Sequence, residues 1–410
     1  MALSDAPESE RRPDPSKPGT LLIGPDRLGR SVSVVDGLVS EDVPEFATRL
    51  ACPEGEIAPG AVCAHTHLYS GLARYGMPAP AEAPRNFLQI LEKVWWRLDR
   101  ALDAESLAAA AEDYVTRALL AGTTTLIDHH ESPDLIEGSL GILAETCQRR
   151  GMRAMLCYGA TERNFGREEA RRGLDECRRI SPSRLIRPLV GLHAGFTVSD
   201  ETIREAGDLA RDLGTVLHVH VAEDLADVED ARARGFQGPL ERLASLDALI
   251  PGSILAHGVH LDAEQVGFAQ SRNCWLVHNP RSNEGNRVGY AKTLSASGKV
   301  ALGTDGWDAD MAEEQAALDR LAALHADPGT AGRLAAGRTL VAERFGTRPG
   351  DLAPGALGDV VVRERGRVRH VVVDGRLVVT DGDLVQGSAQ AIAEAAERLS
   401  KDLWSRMAAL

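Results

Sequence analysis

Two periodicities divide the chain and predict its fold class. Between residues 61 and 346, eight short apolar or β-branched segments alternate with Ala/Leu/Arg/Glu-rich segments that have helical spacing. This alternation predicts an α/β protein built on a (β/α)8 TIM barrel. After Gly355 the period returns to two, and short strand-like pieces also precede the alternating region. The two chain ends are therefore expected to form a small β domain together.

The eight predicted barrel strands are short, and most end at polar residues. They are Val62–His65, Thr123–Asp128, Arg153–Tyr158, Ile186–Leu192, Val216–Val221, Ser253–His257, Cys274–His278 and Val300–Thr304. Helical spacing between them is clearest in Leu107–Ala121, Ile136–Arg150 and Thr202–Leu213. Near the C-terminus, Asp374-Gly375 and Asp381-Gly382 separate strand-like runs and predict tight hairpin turns.

The predicted domains follow these changes of pattern. Residues 1–19, rich in Pro, Ser, Glu and Arg, lack the apolar core of a signal peptide and are expected to be a disordered arm. Residues 59–346 are assigned to the barrel. Residues 20–58 and 347–390 are assigned to the small β domain, and 391–410 to a C-terminal helix.

Composition excludes several classes of function. The 410 residues are 43% hydrophobic and 26% charged, which is ordinary for a soluble globular protein. The net charge of −14 and the lack of a Lys/Arg-rich run argue against nucleic-acid binding. No apolar run approaches the ~18 residues of a membrane span. The six cysteines lack C-x-x-C pairing and predict buried thiols in a cytoplasmic protein rather than a disulfide framework.

Histidines and one aspartate at strand ends predict a metal site. His65 and His67 alternate at the end of the first barrel strand, so their side chains share a face. His220 ends the fifth predicted strand, and Asp305 follows the eighth. A parallel barrel collects side chains from successive strand ends at one face, and imidazole with carboxylate suits a divalent cation. A turn role for Asp305 is the alternative, and we favour the ligand.

Two further groups are placed for acid–base chemistry. Glu223 lies three residues after His220, where it could take a proton from an attacking water. The alternative is a helix-start glutamate that favours the positive end of the next helix. His257 ends a strand whereas His260 lies in the loop beyond, so we favour His257 as the second group acting on the water.

Candidate substrate contacts lie in two other strand-end segments. His193 ends the fourth predicted strand, and a substrate contact is one of two open interpretations. The polar loop after the seventh strand contains Arg281, Asn283 and Arg287. A guanidinium there would suit an oxygen-rich or anionic ring. Alternatively, the arginines pair with surface carboxylates of this acidic chain.

Some other residues are given structural roles, and three common functional motifs are absent from the sequence. His129 and His130 are interpreted as structural histidines, and Trp95-Trp96 as a core pair on a helix. The sequence contains no G-x-S-x-G nucleophile motif, P-loop or dinucleotide fingerprint.

Four motifs in order resemble the amidohydrolase superfamily, in particular the branch of cytosine deaminases and chlorohydrolases. They are Pro59-Gly60 with His65-Thr66-His67, His220-Val221-Ala222-Glu223, Leu255-Ala256-His257-Gly258, and Gly303-Thr304-Asp305-Gly306. The segments Asn86–Asp99, Ile127–Pro133 and Val221–Asp230 are most similar to SsnA-type aminohydrolases. The likeness spans roughly residues 60–311. It departs in the loop 279–287, where a more apolar continuation is expected, and the segments before His65 and after Asp305 look abbreviated.

The resemblance implies a distorted barrel with a small β-sandwich and one divalent ion, Zn²⁺ or alternatively Fe²⁺. It implies His65, His67, His220 and Asp305 as ligands, Glu223 as proton shuttle and His257 as the group that orients water. His193 would lie near the substrate.

The expected activity is hydrolysis of a C–N bond, namely deamination of a purine-, pyrimidine- or triazine-like ring by metal-activated water. The alternatives are ring opening of a cyclic amide or imidazolone, and a non-catalytic metal-binding scaffold. A small heterocyclic substrate and a homodimer are the expected partners.

Overall fold

The structure is a computed structural model that describes residues 19–410, so the predicted disordered arm lies outside the described residues except for Gly19. The strands are β1 Leu21–Ile23, β2 Val32–Val35, β3 Leu38–Ser40, β4 Thr48–Leu50, β5 Glu56–Pro59, β6 Ala61–Thr66, β7 Thr123–His130, β8 Arg153–Ala160, β9 Ile186–Pro188, β10 Val190–Ala194, β11 Leu217–Val221, β12 Ile254–His257, β13 Trp275–His278, β14 Val300–Leu302, β15 Val360–Glu364, β16 Arg367–Val373, β17 Arg376–Thr380 and β18 Asp383–Leu384.

Helices alternate with the strands through the middle of the chain. They are α1 Phe87–Ile90, α2 Trp96–Ala101, α3 Ala104–Ala121, α4 Ser139–Arg150, α5 Arg167–Arg179, α6 Asp200–Asp212, α7 Leu225–Ala233, α8 Pro239–Ser245, α9 Ala263–Ser271, α10 Pro280–Gly285, α11 Met311–His325, α12 Arg333–Phe345 and α13 Ala389–Ala409. A π-helical turn, Leu91–Trp95, joins α1 to α2. No helix within residues 19–410 is long and apolar enough to cross a membrane.

Eight parallel strands form the barrel in the order β6-β7-β8-β10-β11-β12-β13-β14. A parallel bridge between Thr66 and Asp305 joins the two ends of this path. Every residue of β7 and β8 is buried, as expected where helices cover a parallel sheet on its outer face. The predicted (β/α)8 fold is therefore confirmed.

The fourth predicted strand, Ile186–Leu192, is interrupted rather than continuous. β9 and β10 both pair with β8, and Leu189 separates them. Pro188 has no amide proton to donate to a ladder, which is the physical reason that a strand ends there.

The chain ends supply two further sheets. One has the order β3-β2-β1-β4, and the other has the order β18-β17-β16-β15-β5. Apolar side chains from both sheets form a common core that includes Ile23, Val34, Ile57 and Val360. The predicted β-sandwich built from both ends is confirmed.

The predicted hairpin turns are also present near the C-terminus. Asp374 and Gly375 have φ of 53° and 72°, and Asp381 and Gly382 have φ of 54° and 87°. Two consecutive residues with positive φ are what a two-residue hairpin turn requires.

Candidate metal centre and catalytic cavity

The predicted metal ligands lie together at the carboxyl ends of the barrel strands. His67 Nε2 lies 2.8 Å from Asp305 Oδ1, and His65 Nε2 lies 3.3 Å from the same oxygen. His220 Nε2 lies 3.3 Å from His67 Nε2. His257 is also close, because ligand atoms of His65, His220, His257 and Asp305 all lie within 4.8 Å of one another.

The tautomers of the histidines fit a shared cation. His67 Nδ1 lies 2.5 Å from the His129 carbonyl oxygen, and His220 Nδ1 lies 2.6 Å from the His193 carbonyl oxygen. A carbonyl oxygen only accepts, so each Nδ1 carries the proton and donates. The Nε2 atoms of the two rings then face each other. Such an arrangement suits a cation between them, and Nδ1–H donation to a carbonyl is the usual way of orienting a metal-binding histidine.

His257 adds a buried nitrogen to the same centre. Its Nδ1 donates to Asn283 Oδ1 over 2.8 Å. Its Nε2 is buried and has no hydrogen-bond partner among residues 19–410. It lies 4.0 Å from Asp305 Oδ1 and 3.6 Å from Glu223 Oε2. In this position His257 Nε2 could bind the metal ion directly, or it could hold the attacking water as predicted.

Backbone strain is concentrated at the same strand ends. Ala222, His257 and Asp305 have φ of 49°, 74° and 53°. Residues with a Cβ rarely adopt this region, although aspartate and histidine do so more readily than alanine, and such residues cluster at functional sites. At Gly303 a side chain is excluded for another reason, since a Cβ there would lie 2.7 Å from the His65 carbonyl oxygen. The absence of a side chain at Gly303 lets the segment after β14 approach β6 closely, next to the point where His65 and Asp305 meet.

Glu223 lines the cavity in front of the ligand cluster. The helix-start role belongs to its neighbour Asp224, whose side chain accepts a hydrogen bond from Ala226 N over 3.0 Å. Asn286 Nδ2 donates to Glu223 Oε1 over 3.4 Å. Glu223 is therefore held beside His257 by a side-chain contact and is free of a capping role.

Burial adjusts the protonation of these groups. It lowers the pKa of His65 to about 3 and that of His220 well below its usual range, which keeps both rings in the neutral form that binds metals. Burial also raises the pKa of Glu223 well above its usual range, and the Asp305 carboxylate raises it further. A carboxyl group with a raised pKa is suited to accept and return a proton near neutral pH.

The short helix α10 and Asn286, the residue that directly follows it, hold three of the groups in the centre. The Ser282 hydroxyl donates to Asp305 Oδ2, and Asn283 accepts from His257. Asn286 reaches both Glu223 and the Ser282 hydroxyl. The predicted polar loop is thus a helix that positions the predicted ligand and acid–base groups.

A cavity opens in front of the centre, and aromatic, acidic and histidine side chains line it. Its aromatic wall consists of Tyr69, Phe87, Trp95, Trp96 and Phe196. The sequence predicted a core pair at Trp95-Trp96, but both indoles line this cavity. Helical periodicity identifies an apolar face, yet it does not distinguish a face packed on the core from one packed on a cavity. The π-helical turn that precedes Trp96 is itself a feature frequent at functional sites.

The three residues predicted to contact the substrate differ in whether they line the cavity. His193 lines the cavity, and its Nδ1 lies 3.2 Å from Thr197 Oγ1. Asn283 is buried behind His257 and does not line the cavity. Arg281 is also outside the lining, since its guanidinium bonds Glu314 (2.5 Å), Glu313 (2.9 Å) and the Asp308 carbonyl oxygen (2.6 Å). This is the arrangement expected from the ion-pair interpretation of Arg281.

Sequence reasoning missed several groups around the centre. Glu131 Oε1 lies 2.6 Å from His129 Nδ1, and Glu131 Oε2 lies 3.4 Å from His67 Nδ1. His218 Nε2 lies 2.9 Å from His65 Nδ1. The sequence did contain a signal for both residues. His129-His130-Glu131 is a polar run that follows an apolar strand, and His218 alternates with His220.

Comparisons with known proteins agree with this geometry. The family model described as "Amidohydrolase family" matches residues 57–378. A 5-methylthioadenosine/S-adenosylhomocysteine deaminase of Archaeoglobus fulgidus is 28% identical, covering 85% of this chain and 88% of that protein. A 5′-deoxyadenosine deaminase of Methanopyrus kandleri is 27% identical, covering 94% and 98%.

Solved structures show the same fold. An adenosine deaminase of Xanthomonas campestris with bound zinc superposes with a TM-score of 0.78 at 23% identity, covering 92% of this chain and 94% of that one. Atrazine chlorohydrolase of Arthrobacter aurescens, complexed with zinc, gives 0.72 at 20% identity, covering 93% and 98%. Because the family model spans most of the chain, including every predicted ligand, this protein belongs to the amidohydrolase family.

Proposed function

We propose that this protein is a metal-dependent aminohydrolase that removes an amino group from a nitrogen heterocycle of purine type. The observation that carries the proposal is the Glu223 carboxyl group, 3.6 Å from His257 Nε2 at the edge of a His/Asp ligand cluster that faces an aromatic cavity. The deaminase names of the relatives from Archaeoglobus fulgidus and Methanopyrus kandleri support a purine-like ring.

The residues present fit one divalent ion, and we propose zinc held by His65, His67, His220 and Asp305. Such an ion, when bound, activates a water as a Lewis acid and lowers its pKa towards ~7. The zinc bound in two structures of similar fold, the adenosine deaminase and the atrazine chlorohydrolase, supports this choice over iron.

Proton transfer is assigned to Glu223. Its carboxylate accepts a proton from the attacking water while the water oxygen forms a bond to the ring carbon that bears the amino group. Glu223 gives this proton to the ring nitrogen. It then takes the second proton of the former water from the new hydroxyl group and gives it to the departing amine. The C–N bond breaks, ammonia leaves, and the ring carbon becomes a carbonyl. His257 Nε2, with Nδ1 held by Asn283, orients the water on the other side.

The aromatic wall gives the substrate its orientation. Trp95, Trp96 and Phe196 offer flat apolar faces to a planar ring, whose polar edge then points to Glu223 and the ligands. Ring opening of a cyclic amide would use the same groups but would release no ammonia. A scaffold without catalysis has no use for an acid–base carboxyl group beside the ligands.

A screen of aminated purines, pyrimidines and triazines for ammonia release, with elemental analysis of the same sample, tests the proposal. We expect ammonia release that depends on bound zinc. Turnover without ammonia would favour ring opening, and metal binding without any turnover would favour the scaffold. The homodimer and the cytoplasmic location stay predictions.

A further inference from the structure

Glu223 faces the metal centre, although the alternation of a strand would point it the other way. Successive side chains of a strand lie on opposite faces, so residues three apart in an extended chain point in opposite directions. His220 contributes its ring to the ligand cluster, and Glu223 Oε2 nevertheless lies 3.6 Å from His257 Nε2. A break in the extended backbone therefore lies between His220 and Glu223.

Ala222 supplies this break. It directly follows β11, and its φ is 49°, in the left-handed region that a residue with a Cβ rarely adopts. One such residue changes the direction of the chain, so the next side chain no longer follows the alternation of the strand. A strained conformation of this kind persists only where the surrounding structure holds it.

Hydrogen bonds on both sides of Ala222 hold it in this conformation. Its carbonyl oxygen accepts from His260 N over 2.9 Å, and the Val221 carbonyl oxygen accepts from Gly258 N over 2.9 Å. The N–H of Ala222 donates to Asp227 Oδ2 over 2.8 Å. The first two bonds join main-chain atoms, whereas the third depends on a side chain and can be removed by substitution.

Asp227 does not have the usual role of an acid at a helix start. It is the third residue of α7, whose N-cap is Asp224. An acid at this place commonly bonds the N–H of the N-cap residue or stays in water near the positive end of the helix. Asp227 is 3% exposed and reaches past the cap to Ala222. Burial raises the pKa of Asp227 to about 6, while the Ala222 amide opposes this shift. Near neutral pH the hydrogen bond is therefore mostly charge-assisted and strong.

The other side of Asp227 fits the turn that follows β10. A Cβ on Gly195 would lie 2.6 Å from Asp227 Oδ1, so a side chain there would displace the carboxyl group. Arg242 is buried and donates to the carbonyl oxygens of Gly195 (2.7 Å) and Val198 (2.9 Å). The Asp227 carboxyl group is thus confined between a braced turn and the residue that precedes Glu223.

We propose that Asp227 is a positioning residue for Glu223, because its Oδ2 holds the Ala222 N–H and so maintains the turn that directs the Glu223 carboxyl group to the metal centre. The inference rests on the proposed function for the proton transfer assigned to Glu223. A substrate contact is the competing role, since Asp227 lines the cavity and its Oδ1 has no hydrogen-bond partner within residues 19–410.

The variants Asp227→Ala and Asp227→Asn test the proposal in the metal-loaded enzyme. Alanine removes the acceptor, whereas the amide oxygen of asparagine can take the place of Oδ2. Glu176→Ala is the matched control, because Glu176 is also buried and accepts from the N–H groups of Gly138 (3.0 Å) and Leu140 (3.1 Å) but does not line the cavity. Turnover is followed as ammonia release from adenosine or, if adenosine is not a substrate, from the best ring in the screen of aminated heterocycles.

We expect Asp227→Ala to lower kcat by about tenfold to hundredfold, the effect of displacing a reacting group by about 1 Å. KM and metal content should stay close to wild type, and Asp227→Asn should retain more of kcat than Asp227→Ala. In a Glu223→Gln background, Asp227→Ala should have little further effect, because it acts through Glu223.

Three kinetic results would overturn the proposal. A rise of KM at constant kcat would make Asp227 a substrate contact. Equal losses of kcat in Asp227→Ala and Asp227→Asn, or in Asp227→Ala and Glu176→Ala, would show that the acceptor for Ala222 is unimportant. The same fold-loss with and without Glu223 would show that Asp227 does not act through it.

Hydrogen exchange resolved to single amides gives a second measurement, which needs no substrate. The Ala222 amide should be protected in the wild-type enzyme and in Asp227→Asn, and it should exchange about tenfold faster or more in Asp227→Ala. An unprotected Ala222 amide in the wild-type enzyme would overturn the proposal even if Asp227→Ala does not fold. Lack of ammonia release from every ring would contradict the proposed function alone, whereas turnover that is unaffected by Asp227→Ala would contradict this inference alone.

Discussion

Single ring nitrogens determine how the centre binds a metal. In His67 and His220, Nδ1 donates to a main-chain carbonyl oxygen, so Nε2 is the only atom left to bind an ion. Asp305 supplies an oxygen to the same point from the opposite end of the barrel path. Because each residue contributes one atom, loss of any one leaves an incomplete set.

We expect His65→Ala and Asp305→Ala to lower bound metal and activity together, since each removes one of four proposed ligands. Elemental analysis of the purified variants, with circular dichroism to verify folding, is the measurement. His325→Gln is the control, because His325 is exposed on α11, remote from the centre in the fold. Full metal content in both alanine variants would remove the ligand assignment.

We expect Glu223→Gln to keep its metal and lose activity by about 10²–10⁴-fold, the usual contribution of a general acid–base group. Glutamine preserves the contact with Asn286 but cannot accept a proton. Asp224→Asn, next in the chain, retains a capping oxygen for α7 and should stay close to wild type. Comparable rates for Glu223→Gln and the wild-type enzyme on a confirmed substrate would contradict the shuttle role.

At the scale of secondary-structure elements, the short helix α10 contributes hydrogen-bonding side chains to one side of the metal centre. Its residues Ser282 and Asn283 contact Asp305 and His257, and Asn286, which directly follows the helix, contacts Glu223. The sequence placed this segment correctly after the seventh strand of the barrel. It did not indicate that its side chains bond the protein's own functional groups, since these partners lie 23 to 63 residues away in the chain.

We expect Asn283→Ala to reduce kcat about 10–100-fold, the usual effect of losing a group that orients a metal-site residue. The His257 ring would lose the acceptor that holds its Nδ1 proton, while the four proposed ligands remain. Steady-state kinetics with metal analysis tests this. Glu284→Gln, an exposed change on the same helix, serves as control. Equal kcat values in the two variants would show that Asn283 does not position His257.

For the whole molecule, a buried ion pair joins the barrel to the β-sandwich. Arg153 on β8 is 1% exposed, and its guanidinium bonds both oxygens of Asp359 at 2.8 and 2.9 Å. Asp359 also accepts from Asp374 N at a sandwich turn. The pair therefore connects the amino end of a barrel strand to the sheet formed by the chain ends.

We expect Asp359→Ala to lower the free energy of unfolding by about 3 kcal/mol, because it removes both hydrogen bonds of the buried Arg153 guanidinium to Asp359 and leaves only the Asp374 carboxylate, 3.7 Å away, as a charge partner. Urea denaturation measures the change. Glu137→Ala is the control, because Glu137 pairs with Arg172 on the surface, where ion pairs contribute little. Equal destabilisation by the two changes would show that burial of the pair is unimportant.

Local patterns were sufficient to predict the barrel, the sandwich turns and the strand-end positions of His65, His67, His220 and Asp305. Strand periodicity and a polar residue after an apolar run are properties of neighbouring residues, so they can be read without a structure. The partners of those residues cannot be read in this way. His65 meets His218 across 153 residues of chain, and Trp95 and Trp96 line a cavity besides packing against buried apolar side chains. Packing between distant segments determines which face of a helix lines a cavity and which carboxylate oxygens stay unpaired. Only the tertiary structure defines that packing.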